Sequence, residues 1–143
     1  MYPLGRRSTE VDYFVTEFTF TGTHVLCDIT AVSHAYITDN ALILEAIRRG
    51  IDESGATLCD MQSKEFTPAG MTAVYLLSES HVSVHTYPEF GSMFIDAFTC
   101  GTRCQPERIV ETLIRALGPC EHRISIVGRG VPVRAGAPVG VPK

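Results

Sequence analysis

Hydrophobic and polar positions alternate through the middle of the chain, which is the pattern of β-strands with one buried face. The alternation is clearest in residues 81–86, HVSVHT, and apolar or alternating runs also cover residues 56–66, 71–77 and 92–100. Residues that favour turns separate these runs at distances that suit hairpin connections. We therefore expect consecutive antiparallel strands in this part of the chain.

Two other segments have apolar residues at the three-to-four-residue spacing of amphipathic helices. The first begins after Thr38 or Asp39, either of which can be the N-cap, and ends at about Ser54. Gly55 follows it, as glycine often does at the end of a helix. The second covers residues 106–117 and begins with a proline, which is well tolerated in the first helical turn. These segments predict the two main helices.

The two ends of the chain carry different signals. Residues 1–21 are expected to form an N-terminal extension that ends in a first strand, rich in aromatic residues, and residues 24–30 continue that strand or form another. Residues 123–127 predict a short closing strand. Residues 128–143 are rich in glycine and proline, so we expect a flexible tail.

This order of elements predicts the α+β class, as a two-layer sandwich with an antiparallel sheet and two helices packed on one face. The 143 residues suit a single domain with one hydrophobic core. The sheet face without helices would carry a surplus of apolar side chains. That surplus predicts pairing with a second copy of the chain.

Composition argues against several kinds of partner and location. The net charge is −4 and no basic run is present, so we do not expect nucleic-acid binding. Glu10, Asp12 and Glu17 interrupt the apolar positions near the start of the chain, so we expect no signal peptide. No run of about 18 apolar residues indicates a membrane span, and a cytoplasmic location is therefore expected. The chain has five cysteines, an odd number, and shows no sign of secretion. Both facts favour free thiols over structural disulfides.

Reactive side chains are concentrated in residues 76–101, among them Ser80, His85 and Cys100. The pairs His81/His85 and Cys100/Cys104 resemble zinc ligands in composition. The strand pattern argues against such a site, because four strand residues span about 13 Å and two histidines that far apart cannot bind one ion. A serine hydrolase is disfavoured since Ser80 lacks the Gly-x-Ser-x-Gly turn. A cysteine hydrolase that uses Cys100 with His85, and purely structural roles for these residues, are not excluded by the pattern alone.

The lysine content limits the choice of cofactor. The chain has two lysines, Lys64 and the terminal Lys143. A pyridoxal-phosphate enzyme needs a Schiff-base lysine and a phosphate-binding loop, and neither is evident here.

Three motifs lie within residues 76–101, namely LSESH at residues 77–81, VHTYPE at 84–89 and D-x-F-x-C-G at 96–101. Two further segments precede them, GTHVLCD at 22–28 and ESGAT at 53–57. Together, and in this order along the chain, they closely resemble the prokaryotic-type S-adenosylmethionine decarboxylase family.

The resemblance implies an enzyme that makes its own pyruvoyl cofactor and uses neither pyridoxal phosphate nor a metal. The chain would cut itself between Glu79 and Ser80, and Ser80 would become the pyruvoyl group after its Oγ attacks the Glu79 carbonyl. His85 would be the base that abstracts a proton during this processing. In catalysis the substrate amine would form a Schiff base with the pyruvoyl group, and Cys100 would be the general acid that reprotonates the α-carbon after carbon dioxide leaves.

The resemblance also implies the substrate contacts and the assembly. Phe66 would stack on the adenine of S-adenosylmethionine, and Glu89 would bind the ribose. Relatives form dimers with sites at or near the subunit interface, and the product supplies aminopropyl groups for polyamine synthesis, including spermidine. Where relatives usually read Val-Ser-Gly, this chain has Met-Thr-Ala at residues 71–73; Thr72 keeps a hydroxyl that could assist processing.

This departure leaves the substrate open at the level of sequence. The same pyruvoyl chemistry could act on arginine or ornithine. A homologue that does not process itself, and that serves as a binding or partner subunit, is the third hypothesis.

Overall fold

The computed structural model describes residues 21–78 and 80–130. Within these residues the chain forms six strands and three α-helices. In order they are β1 (Thr21–Thr30), α1 (His34–Ile37), α2 (Asn40–Ser54), β2 (Leu58–Glu65), β3 (Met71–Leu77), β4 (Ser80–Tyr87), a 3-10 turn (Pro88–Phe90), β5 (Ser92–Cys100), α3 (Glu107–Ala116) and β6 (Glu121–Gly130).

The six strands form one sheet in the order β2-β3-β4-β5-β1-β6, and every neighbouring pair is antiparallel. The two longer helices, α2 and α3, pack against each other and against one face of this sheet. The predicted α+β two-layer sandwich is therefore confirmed. The short helix α1 was not predicted, since its four residues are too few to show a helical period.

The alternation of the sequence decides which side of the sheet is buried. Val25, Val82 and Ile95 lie on one side and are 0 to 2% exposed. We call this side the inner face, because it packs against the apolar stripes of the helices, which include Ile47 in α2 and Leu113 in α3. The opposite side is the open face, which none of the described helices covers. Burying the inner-face side chains stabilises the sandwich by about 25 cal/mol per Å² of apolar surface.

The predicted ends of α2 are confirmed by its capping contacts. The side chain of Asp39 accepts a hydrogen bond from the backbone N–H of Leu42 at 3.0 Å, as an N-cap residue should. Gly55 ends the helix with φ at +86°, a left-handed conformation that costs glycine little.

Gly50 lies inside α2 because the two helices approach closely there. A Cβ atom at this position would lie 2.8 Å from the Cα of Ile109 in α3. The glycine that weakens the helix in isolation is therefore what lets α2 and α3 pack together.

The structure extends one predicted strand. β6 runs from Glu121 to Gly130, so it is longer at both ends than the predicted 123–127 and includes the first residues of the predicted tail. The expectations for residues 1–20, Glu79 and residues 131–143 lie outside the described part of the chain. None of the described helices has both the length and the apolar character that a membrane span requires.

Candidate active site

The side chains singled out from the sequence are divided between the two ends of β4. Ser80 is the first residue of β4 and pairs with Thr99 of β5, so Cys100 lies at the same end. Thr72 of β3 pairs with His85, towards the other end of β4. We call these the Ser80 end and the His85 end.

The two ends are too far apart to act on each other within one chain. His85 follows Ser80 by five residues. Since a strand rises about 3.3 Å per residue, their backbones are roughly 16 Å apart. Direct proton transfer requires heavy atoms about 3 Å apart. The imidazole of His85 therefore does not reach Ser80 of its own chain.

The His85 end holds four of the predicted site residues. Thr72 Oγ1 lies 3.0 Å from His85 Nδ1, and both side chains are half-buried on the open face. Phe66 follows β2, and its backbone N–H donates to the carbonyl oxygen of Gly70 at 2.8 Å, which closes the loop into β3. Glu89 lies in the 3-10 turn after β4. Both Phe66 and Glu89 are exposed, so they are available to a ligand.

At the Ser80 end, the predicted site residues lie on both faces of the sheet. Ser80 pairs with Leu77 on one side and Thr99 on the other, and both partners are buried on the inner face. Because directly paired residues point to the same face, the strand pattern directs Ser80 inward as well. Cys100, one residue beyond Thr99, is half-buried on the open face.

Thr99 is unusual among the buried residues. It is 0% exposed, and its Oγ1 has no hydrogen-bond partner within the described residues. A buried hydroxyl normally has a partner, because leaving it unpaired costs about 1 to 3 kcal/mol.

A carboxylate and two histidines that the sequence did not single out as site residues meet on the open face near the Ser80 end. Asp96 Oδ2 lies 2.8 Å from His24 Nε2 and 2.9 Å from His81 Nε2. The hydroxyl of Ser83 donates to Asp96 Oδ1. Partial burial acts to raise the pKa of Asp96, but the hydrogen bonds from Ser83, His24 and His81 outweigh it, so the pKa lies below its ordinary value. Asp96 is therefore a carboxylate at neutral pH.

Arg129 of β6 determines the tautomer of His24. Its NH1 lies 3.1 Å from His24 Nδ1, and its guanidinium stands 5.8 Å from the centre of the Phe98 ring. A guanidinium can only donate hydrogen bonds, so His24 Nδ1 must accept. The proton of the neutral ring is then on Nε2, which donates to Asp96.

The same three side chains have the composition of a metal site. One ligand atom from each of His24, His81 and Asp96 lies within 4.8 Å of the others, and two histidines with one carboxylate commonly bind divalent transition metals. However, a metal-bound histidine usually donates its second N–H to an acceptor. Arg129 offers His24 a donor instead, which argues against a metal ligand role for His24.

None of the five cysteines forms a disulfide within the described residues. Burial, with smaller contributions from the charges of Asp28 and Cys120, raises the pKa of the Cys27 thiol to about 11. Cys27 is therefore protonated at neutral pH and acts as a small buried hydrophobe.

Comparisons with known proteins agree with these features. The profile of the S-adenosylmethionine decarboxylase family matches residues 23–130. A Bacillus cereus protein named S-adenosylmethionine decarboxylase proenzyme 2 is 36% identical over 115 residues, which are 80% of this chain and 94% of the relative. A Prochlorococcus marinus S-adenosylmethionine decarboxylase proenzyme is 35% identical over 122 residues, 85% of this chain and 98% of the relative.

A solved structure leads to the same family. The crystal structure of the adenosylmethionine decarboxylase from Aquifex aeolicus superposes with a TM-score of 0.74 at 29% identity, and covers 84% of this chain and 98% of that one. The resemblance drawn from the sequence motifs is thus confirmed. The chain belongs to the S-adenosylmethionine decarboxylase family.

Proposed function

We propose that this enzyme decarboxylates S-adenosylmethionine with a pyruvoyl group that it makes from Ser80, and so supplies the aminopropyl donor for polyamine synthesis. Membership of the family supports the reaction and the substrate. The observation that carries the assignment to Ser80 is its position as the first residue of β4, directly after the hairpin connection from β3.

The residues present fit a chain that is cut at this point. β3 pairs with β2 as well as with β4, and β4 pairs with β5 along its whole length. After a cut before Ser80, β3 is still paired with β2 of its own fragment, and β4 is still paired with β5 of its own fragment. The sheet therefore does not depend on the connection that is cut. The hydroxyl of Thr99, which has no partner within the described residues, is also a donor for the oxygen that processing would add at residue 80.

Processing would use groups of the chain itself. Ser80 Oγ attacks the carbonyl carbon of Glu79, the peptide C–N bond breaks, and the proton passes from Oγ to the nitrogen, which leaves an ester. A base, His85, then removes the Cα proton of Ser80, and the carboxylate of Glu79 leaves. Addition of water to the remaining unsaturated residue releases ammonia and leaves the pyruvoyl group. Once formed, this group would supply the electron sink for decarboxylation.

A second copy of the chain would bring the two ends of β4 together. The open face exposes large apolar side chains that a partner can bury, namely Leu26, Leu76, Tyr87, Phe94 and Val127. If two open faces pack with opposite strand ends aligned, the His85 end of one copy reaches the Ser80 end of the other. The second copy would then provide His85 and Thr72 for processing, and Phe66 and Glu89 for the substrate.

Within this composite site, Cys100 would be the general acid that returns a proton to the substrate carbon after carbon dioxide leaves. Its half-buried position on the open face supports this role, because that face is the one a second copy would enclose. No pyridoxal phosphate or metal is needed in this scheme. The five cysteines form no disulfide within the described residues, which also supports a reducing compartment; for this enzyme that would be the cytoplasm.

Intact mass spectrometry tests the processing directly. We expect two fragments, residues 1–79 and residues 80–143, with a pyruvoyl group at the start of the second. The Ser80→Ala chain should stay whole and inactive. A wild-type chain that remains whole after long incubation would contradict the proposal and favour a homologue that does not process itself.

The substrate needs a separate measurement on the cut enzyme. Release of carbon dioxide should be compared with S-adenosylmethionine, arginine and ornithine at equal concentrations. We expect S-adenosylmethionine to have the highest kcat/KM. Faster turnover of arginine or ornithine would keep the chemistry and change the substrate.

A further inference from the structure

The hydroxyl of Thr99 has no evident role in the uncut chain. It is buried on the inner face, unpaired within the described residues, and directly opposite Ser80 in the pairing of β4 with β5. Side chains that face each other across two antiparallel strands have Cβ atoms about 4.5 to 5.5 Å apart. A group that extends from residue 80 towards Thr99 is therefore within reach of its Oγ1.

The chemical change at residue 80 accounts for this unpaired donor. A serine offers a single hydroxyl on a tetrahedral carbon. Conversion to a pyruvoyl group places a carbonyl oxygen on the α-carbon, and that oxygen is an acceptor only. Ser80 Oγ can also accept a hydrogen bond, but in the uncut chain it does not pair with Thr99 Oγ1. Processing removes this hydroxyl and places an acceptor directly on the α-carbon of the paired residue.

We propose that Thr99 Oγ1 donates a hydrogen bond to the carbonyl oxygen that processing creates at residue 80. The inference rests on the proposed function, because it requires that Ser80 becomes the pyruvoyl group. The hydrogen bond holds the carbonyl in one orientation at the end of β4. It also draws electron density towards the oxygen, which makes the carbonyl carbon more reactive towards an amine.

Two substitutions separate the hydroxyl from the space it fills. Thr99→Val keeps the branched shape and replaces the hydroxyl with a methyl group. Thr99→Ser keeps the hydroxyl and removes the methyl group. An effect of the first variant that the second does not share can therefore be assigned to the hydrogen bond.

The first measurement uses the uncut chain. In the Ser80→Ala background, Thr99→Val removes an unpaired buried polar group, so its unfolding midpoint in urea should rise. Thr99→Ser should lower the midpoint, because it keeps the unpaired hydroxyl and loses a buried methyl group. A Thr99→Val chain that is less stable than its Ser80→Ala parent, or that fails to fold, would overturn the proposal, since the hydroxyl would then already have a partner.

The second measurement uses the cut enzyme and needs no substrate. Hydroxylamine condenses with a carbonyl, releases water and adds a fixed mass to the fragment that begins at residue 80. The trapping rate should fall roughly two- to tenfold in Thr99→Val, which is the range expected from the loss of one neutral hydrogen bond. The trapping rate in Thr99→Ser should stay within about twofold of wild type.

The outcomes distinguish failure of this inference from failure of the proposed function. If the wild-type chain is never cut, the proposed function is wrong and this inference falls with it. If wild type and Thr99→Val are both cut and are trapped at equal rates, the proposed function stands and the role of Thr99 is wrong. If Thr99→Val folds but is not cut while Thr99→Ser is, the hydroxyl acts during cleavage and not on its product, which also overturns the inference.

Discussion

Thr72 and His85 face each other across β3 and β4, with Thr72 Oγ1 3.0 Å from His85 Nδ1. Their pairing is local to one hairpin, whereas Ser80 begins the same strand roughly 16 Å away. The pair is therefore a preformed unit that one chain cannot apply to its own Ser80. If His85 is the processing base, it must act on a second copy.

Mixing two inactive variants tests this arrangement. His85→Ala lacks the base, and Ser80→Ala lacks the nucleophile, so neither chain should be cut when it is made alone. When both are made in the same cell, His85→Ala chains should be cut, because a Ser80→Ala partner supplies the missing imidazole. Intact mass identifies which of the two chains is cut.

Two results would contradict action between copies. A His85→Ala chain that is cut when made alone would show that His85 is not required. An uncut His85→Ala chain in a preparation that contains verified mixed dimers would show that His85 acts within its own chain.

Loss of the Thr72 hydroxyl should slow processing. Thr72→Val removes the hydrogen bond to His85 Nδ1 and keeps the shape of the side chain. Because a positioned base contributes through its orientation, we expect cutting to slow by about tenfold or more. The time course of fragment formation measures this directly. Thr72→Ser is the control that keeps the hydroxyl, and it should cut at close to the wild-type rate; equal rates for all three chains would remove Thr72 from the site.

Much of the fold follows from local patterns, as β4 and α2 illustrate. The alternation in residues 81–86 identified β4, and Asp39 and Gly55 correctly bounded α2. These signals depend on neighbours in the chain, so a single sequence carries them. The confirmed family resemblance likewise rests on contiguous motifs.

The arrangement of polar residues on the open face could not be predicted in this way. His24 and Asp96 are 72 residues apart and meet only because β1 lies beside β5 in the sheet. Arg129 reaches His24 because β6 pairs with the other side of β1. No local spacing encodes this order of strands. The separation of Ser80 and His85 is a different case, because both residues lie in β4 and their spacing of five strand residues already implies it.

Gly50 provides a test of helix packing. Alanine should favour the isolated helix by about 1 kcal/mol, but its Cβ would press on the backbone of Ile109. Since overpacking of this kind usually costs about 1 to 3 kcal/mol, we expect Gly50→Ala to lower the free energy of unfolding. Urea unfolding of the Ser80→Ala chain with and without Gly50→Ala measures this change in the free energy of unfolding. Arg49→Ala on the exposed side of α2 is the control for helix propensity alone, and it should leave the free energy of unfolding nearly unchanged. If Gly50→Ala stabilised the chain, the close approach of α2 and α3 at this position would be contradicted.

Asp96 should make stability depend on pH in the acid range. Its pKa is lowered in the folded chain, because the hydrogen bonds from Ser83, His24 and His81 outweigh the effect of burial. A lowered pKa contributes stability that is present above the unfolded-state pKa of about 4 and is lost as the pH falls through the folded-state value. The free energy of unfolding should therefore fall more steeply below about pH 4 in the chain that has Asp96 than in Asp96→Asn. The comparison is best made in uncut Ser80→Ala chains; equal slopes would contradict the assignment.

Arg129 should prevent His24 from binding a metal. In the folded chain its guanidinium donates to His24 Nδ1, so His24 Nε2 carries the proton that a metal would have to replace. We therefore expect that zinc does not raise the Tm of the wild-type enzyme and that a chelator does not lower its activity. In Arg129→Leu the Nδ1 atom is released, and zinc should then raise the Tm through His24, His81 and Asp96. The double variant His24→Gln/Arg129→Leu is the matched control and should lose this effect. Stabilisation of the wild-type chain by zinc that disappears in His24→Gln would show instead that the cluster is a metal site.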